Sequence, residues 1–143
     1  MIRRASIVAR LKNEARALKL VEGVAELAAL RQNPPLHLQP AAFVVPVSER
    51  PGENRAAGAV AQVNTVTFGV VLVMTNLADP RGEAAGDALE LVRGEVRTAL
   101  LGWRPDGASG ACHYAGGETV EIDNKGALWW IDRYRVTESL RSV

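Results

Sequence analysis

A thiol next to an imidazole, Cys112-His113, is the pair of residues here whose types could support nucleophilic chemistry. A thiolate can attack and an imidazole can take its proton. Chain neighbours, however, seldom aim their side chains at one point, and a catalytic Cys and His generally meet from separate segments. The other histidine, His37, lies between Leu36 and Leu38 after two prolines, a setting for a structural or surface role. Gly107, Gly110, Gly116 and Gly117 could cradle a phosphate, yet the sequence has neither Gly-x-x-x-x-Gly-Lys-Ser/Thr nor Gly-x-Gly-x-x-Gly between a strand and a helix. Turn geometry accounts for them. Asp123, Asn124 and Gly126 carry part of a calcium-loop pattern without its ligand spacing or later bidentate Glu, so a hairpin turn is expected. No catalytic residue, cofactor site or metal site is expected, and the chain is not read as an enzyme.

The elements that would have to position any site come from a chain of 143 residues, the size of one domain over residues 1–143. Apolar residues make up 48% and charged residues 23%, which argues against disorder and against a fibrous repeat. With 17 Lys plus Arg against 16 Asp plus Glu, the net charge of +1 gives no large one-signed field to draw nucleic acid or anionic membrane. A single cysteine removes any intrachain disulfide framework and every multi-cysteine zinc site, and fits a reducing compartment. The longest apolar run, Phe68 to Met74, is far shorter than the roughly 20 residues that span a bilayer. Arg10, Lys12 and Glu14 interrupt the start of the chain, unlike a signal peptide, so the expected place of assembly is the cytoplasm.

Ile7, Val8, Leu11 and Ala15 recur at helical spacing and predict an amphipathic helix over Ile2 to Ala15. A brief strand over Ala17 to Glu22 and a helix over Val24 to Arg31 follow, the helix stopped by Asn33-Pro34-Pro35. Ala41 to Val47 reads as a strand that lies near an edge or ends at Pro46, and Ser48 to Gly58 as an exposed, mobile loop. Val60 to Thr75 predicts a long strand whose polar first half leaves the core to meet solvent or another chain and whose second half is covered on both faces. Asp79 and Pro80 open a helix, with Glu83 adding favourable charge. Its apolar stripe is Leu89, Val92, Val96, Ala99 and Leu100; Asp87, Glu90, Arg93 and Arg97 lie outside it, and Gly102 stops it. Trp103 to Gly117 is expected as a loop, Glu118 to Ile122 and Ala127 to Leu140 as a hairpin. The fold class is α+β: a mixed, largely antiparallel sheet with helices packed on it.

In the last strand, Trp129 and Trp130 must face opposite ways, so either both sheet faces are covered within the monomer or one tryptophan marks an interface. Further along, Ile131, Arg133, Arg135 and Thr137 share one face, and Asp132, Tyr134, Val136 and Glu138 the other. Charge on both sides predicts a half that is exposed or pairs across an interface. Two long strands with polar far portions, one long loop and no catalytic set describe a protein that works by assembly through edges and loops.

A family resemblance is carried by Ile7-Val8-Ala9-Arg10-Leu11-Lys12, Leu20-Val21-Glu22-Gly23, Ala42-Phe43-Val44-Val45-Pro46, Phe68-Gly69-Val70-Val71-Leu72, Leu100-Leu101-Gly102-Trp103, Tyr114-Ala115-Gly116-Gly117 and Leu128-Trp129-Trp130. In this order and spacing the chain resembles, over nearly its whole length, the small tail terminator (tail completion) proteins of tailed bacteriophages and prophages. The resemblance implies an α/β subunit that forms a hexameric ring on the head-proximal end of the tail tube. Such a ring stops polymerisation and presents a surface to the head–tail connector protein. The implied partners are further copies of the chain, the tail tube protein and the connector, with DNA passing through the ring without specific binding and no membrane involved. A head–tail connector or stopper protein of the neck is the alternative. The expected contact residues are Glu49, Arg50, Glu53, Asn54, Arg55, Gln62 and Asn64 around the loop and long strand, with Asp132, Arg133 and Arg135 on the last strand.

Overall fold

One five-stranded sheet, in the order β1-β2-β3-β5-β4, organises the chain. The computed structural model describes residues 1–32, 39–75, 83–123 and 126–142. The elements are α1 (Arg4–Glu14), β1 (Leu20–Gly23), α2 (Val24–Gln32), β2 (Ala41–Pro51), β3 (Ala61–Thr75), α3 (Glu83–Leu100), β4 (His113–Ile122) and β5 (Ala127–Arg141). β1 runs parallel to β2 and every other pairing is antiparallel, the mixed α+β sheet that the residue pattern predicts.

The helical periodicity is realised closely. Ile7 and Leu11 of α1 and Leu89, Val92, Val96, Ala99 and Leu100 of α3 are all buried. Together they cover one sheet face through Phe68, Val70, Leu72 and Tyr134. Gly102, at φ 78°, ends α3 in the left-handed region that a side chain disfavours. The expected opening of this helix at Asp79 and Pro80 lies outside the described residues, as does His37. On the second face, Phe43, Val45, Val71, Val73, Trp129 and Ile131 form another buried cluster, packed against Leu27 of α2. The second half of β3 is therefore covered on both sides. Gly69 lies at the centre of this layer, where a Cβ would stand 2.6 Å from Ile131 Cδ1.

Four expectations need correction. Ser48 to Pro51 is strand rather than loop: β2 passes Pro46 by admitting Val47 as an extra residue, and resumes pairing as Ser48↔Thr67 through Pro51↔Asn64. Pro46 is tolerated because β1 pairs only with Ala41 to Val44, so β2 has a free edge beyond that point. β4 begins at His113, not Glu118; its glycines accompany a bulge at Ala115, and a second bulge follows at Val120. The polar half of β3 does not leave the core entirely, since Asn64 and Thr67 are buried. Finally, the far half of β5 is not exposed on both faces: Asp132, Tyr134, Val136 and Glu138 are all buried.

Candidate functional site

The thiol and imidazole do not make a reactive pair. Cys112 is buried, and desolvation pushes its thiol up to about 11, so it remains protonated at neutral pH. His113 is exposed at the start of β4. Among the described residues there is no group of three or more His, Cys, Asp or Glu side chains placed to hold a metal ion.

The buried charges are committed to each other. Asp132, 0% exposed, receives two hydrogen bonds from Arg93, Nε to Oδ2 at 2.9 Å and Nη2 to Oδ1 at 3.1 Å. The Tyr114 hydroxyl and the Trp130 indole N–H also donate to Oδ1, each at 3.0 Å. The Arg93 guanidinium stacks 4.5 Å from the centroid of Trp130, and its hydrogen bond to Asp132 holds its pKa above the ordinary value. Burial pushes the neighbouring Tyr134 phenol upward as well, with Asp132 adding to the shift. Gly117 admits the cluster, because a Cβ there would collide with Asp132 Oδ1 and stand 2.7 Å from the Tyr114 hydroxyl. Arg93 thereby secures α3 to the sheet, and Tyr114 ties β4 to β5 through the same carboxylate.

Glu138 plays a similar part at the other end. One carboxylate oxygen accepts from the Ile2 backbone N–H at 2.8 Å, the other from Asn64 Nδ2 at 2.9 Å. It borders a groove of about 370 Å³ between the start of α1 and β2, whose lining includes Ile7, Val66 and Phe68. Trp129 is buried and gives its indole N–H to Asp123 at 3.1 Å, while Trp130 is half-buried on Asp132. Both tryptophans are thus accommodated within the monomer.

The ten expected contact residues divide by environment. Asn64 and Asp132 turn inward and are buried within the protomer. Asn54 and Gln62 shape the β2–β3 connection: Asn54 Oδ1 accepts from Ala61 N at 2.8 Å, Asn54 Nδ2 donates to Ala59 O at 2.8 Å, and Gln62 Nε2 donates to Gly52 O at 2.9 Å. Arg133 pairs with Glu118 at 3.3 Å. Glu49, Arg50, Glu53, Arg55 and Arg135 are exposed.

Register places the arginines together. Thr65 lies between Arg50 and Thr137, Thr67 pairs with Arg135, Gly69 with Arg133 and Ala61 with Arg141. Alternation puts all of these on the face opposite α1 and α3. Arg141 escaped the sequence reading, although its even spacing from Arg133 and Arg135 gives it the same facing. Val24, Leu27 and Ala28 of α2 border Arg133, but among the described residues no helix covers the sheet around Arg50, Arg135 and Arg141, which are all exposed.

An α+β unit whose buried carboxylates are hydrogen-bonded within the fold, and which carries exposed charge on open sheet, has the character of an assembly subunit. The chain belongs to the phage tail terminator protein family, which matches residues 2–142. It is a structural protein of the bacteriophage virion with a tail-terminating role. Among solved structures it is similar to a chain of the "virion of native gene transfer agent (GTA) particle". The two share 14% identity over 97% of this chain and 96% of that one, with a TM-score of 0.61, a likeness of fold. No curated protein matches the sequence.

Proposed function

We propose that this chain ends tail-tube growth by forming a ring, six copies around, on the head-proximal end of the finished tube. The ring would then offer its outer surface to the head–tail connector. The observation that carries this reading is the family match over residues 2–142, joined to an open, charged sheet extension that the monomer leaves uncovered. Growth would end by geometry: one ring face complements the last tube ring, and the other fails to reproduce the surface that recruits another. Glu49, Arg50, Glu53, Arg55, Arg133 and Arg135 supply contacts to tube or neighbouring subunits, on a surface shaped by Asn54 and Gln62. The chain acts as one domain, requires no cofactor, assembles in the host cytoplasm, and lets DNA pass without specific binding.

Deleting the gene from its parent phage and imaging the induced lysate by negative-stain electron microscopy tests the reading. Overlong tubes without heads are expected; tails of normal length beside unattached heads would assign the protein to the connector instead. A finer test removes Glu53 to Ala57, which lies outside β2 and β3 and so spares their pairing. The shortened protein should keep its circular dichroism spectrum and fail to cap tubes, and normal capping would remove this loop from the contact surface.

A further inference from the structure

The charges of this chain nearly cancel in number, yet two of its surfaces each carry mostly one sign. On the open face of the far sheet, Arg50, Arg133, Arg135 and Arg141 stand among Thr65, Thr137 and Ser139, with Glu118 beside Arg133 as the acidic neighbour. The helix-covered side of the sheet presents the outer surface of α3, beside α1 with its exposed Arg4 and Lys12 and with half-buried Arg10 next to Glu90. There Asp87, Leu91, Gly94, Thr98 and Leu101 follow one another at helical spacing, with Glu90 alongside. Leu91 is 63% exposed, and neither Asp87 nor Glu90 has an ion-pair partner among the described residues. Arg93 and Arg97, on the same helix, turn away toward Trp130 and Tyr114.

A basic face and an acidic, leucine-bearing face on opposite sides of one molecule cannot meet within it, but they can meet between copies. We infer that the arginine face of one protomer docks on the α3 outer surface of the next, with Arg50 and Arg135 opposite Asp87 and Glu90 and with Leu91 covered at the contact. This inference rests on the ring reading and specifies its subunit contact. Two different surfaces make the contact heterologous, the kind that closes into a ring when the rotation permits. Exposed charges of this kind steer encounter and fix orientation, while burial of Leu91 adds attraction that salt does not screen.

Charge exchange tests it. Arg50→Glu with Arg135→Glu should give overlong tails, and so should Asp87→Arg with Glu90→Arg. Each should lower the share of normal-length tails about tenfold or more, since like charges would oppose at a close contact. The fourfold variant, with both faces reversed, should restore normal length. In finished particles, Arg135→Cys combined with Glu90→Cys should give on oxidation a ladder of linked multimers on a non-reducing gel. All these positions are exposed, so the variants should fold, as circular dichroism would check. Normal tails from the arginine reversal overturn the inference. A defect that the acidic-side reversal does not rescue also overturns it and assigns the arginine face to the tube. Multimers that form normally while duplex DNA retention falls overturn it in favour of phosphate contact. If the gene deletion itself leaves tail length unchanged, the terminator reading fails first, a result distinct from all of these.

Discussion

At the scale of single residues, the chain keeps charge inside only where geometry satisfies it. Asp132 has no solvent and four hydrogen bonds. Asp132→Asn would leave Arg93 partly buried without its counter-charge, a change that costs about 3 kcal/mol, readable as a lower urea midpoint with an unchanged slope. Cys112 gives a pH signature. Its thiol titrates at about 11 when folded against an ordinary 9.0, so the unfolded chain releases this proton first as pH rises. The contribution is intact below pH 9 and is lost progressively toward 11. Cys112→Ala should flatten the alkaline fall in stability by on the order of 2 kcal/mol, in denaturation curves taken across that range. Neither role was legible in sequence. Asp132 reads as a surface charge in an alternating strand because its partner lies 39 residues earlier on a helix.

Among the elements, what could be read and what could not follows from where the signal resides. The stripe of α3 and the length of β3 are written in side-chain periodicity, and both are realised. Ser48 to Pro51 has no such periodicity. It is strand because its backbone pairs with Asn64 to Thr67, and backbone pairing leaves no trace in residue type when the side chains face water. β4 was obscured in another way: Gly116, at φ 113°, reads as loop composition but belongs to a bulge. Gly69 is buried at the centre of the sheet. Gly69→Val should press on Ile131 and on Val45, whose Cγ2 lies 3.2 Å from the added Cβ, and lower stability by about 1 to 3 kcal/mol in thermal or urea unfolding.

Taken as a whole, the molecule has a net charge that conceals its polarity. A count of +1 excludes a uniformly basic protein correctly, yet says nothing of a basic sheet on one side and an acidic helix on the other. The open basic face was therefore legible in part: Arg133 and Arg135 stand out from the alternation of the last strand, whereas the facing of Arg50 and the place of Arg141 beside them required the register. The two sides of the sheet also have margins. β4 leaves one rim of the ladder open but breaks its repeat at Ala115 and Val120, and beyond β1 the other rim is interrupted by Pro46 and Val47. Neither rim offers a long, regular row of amides on which loose strands could stack. A protein with a tail-terminating role thus carries sheet rims that give its own copies little purchase for strand-on-strand stacking.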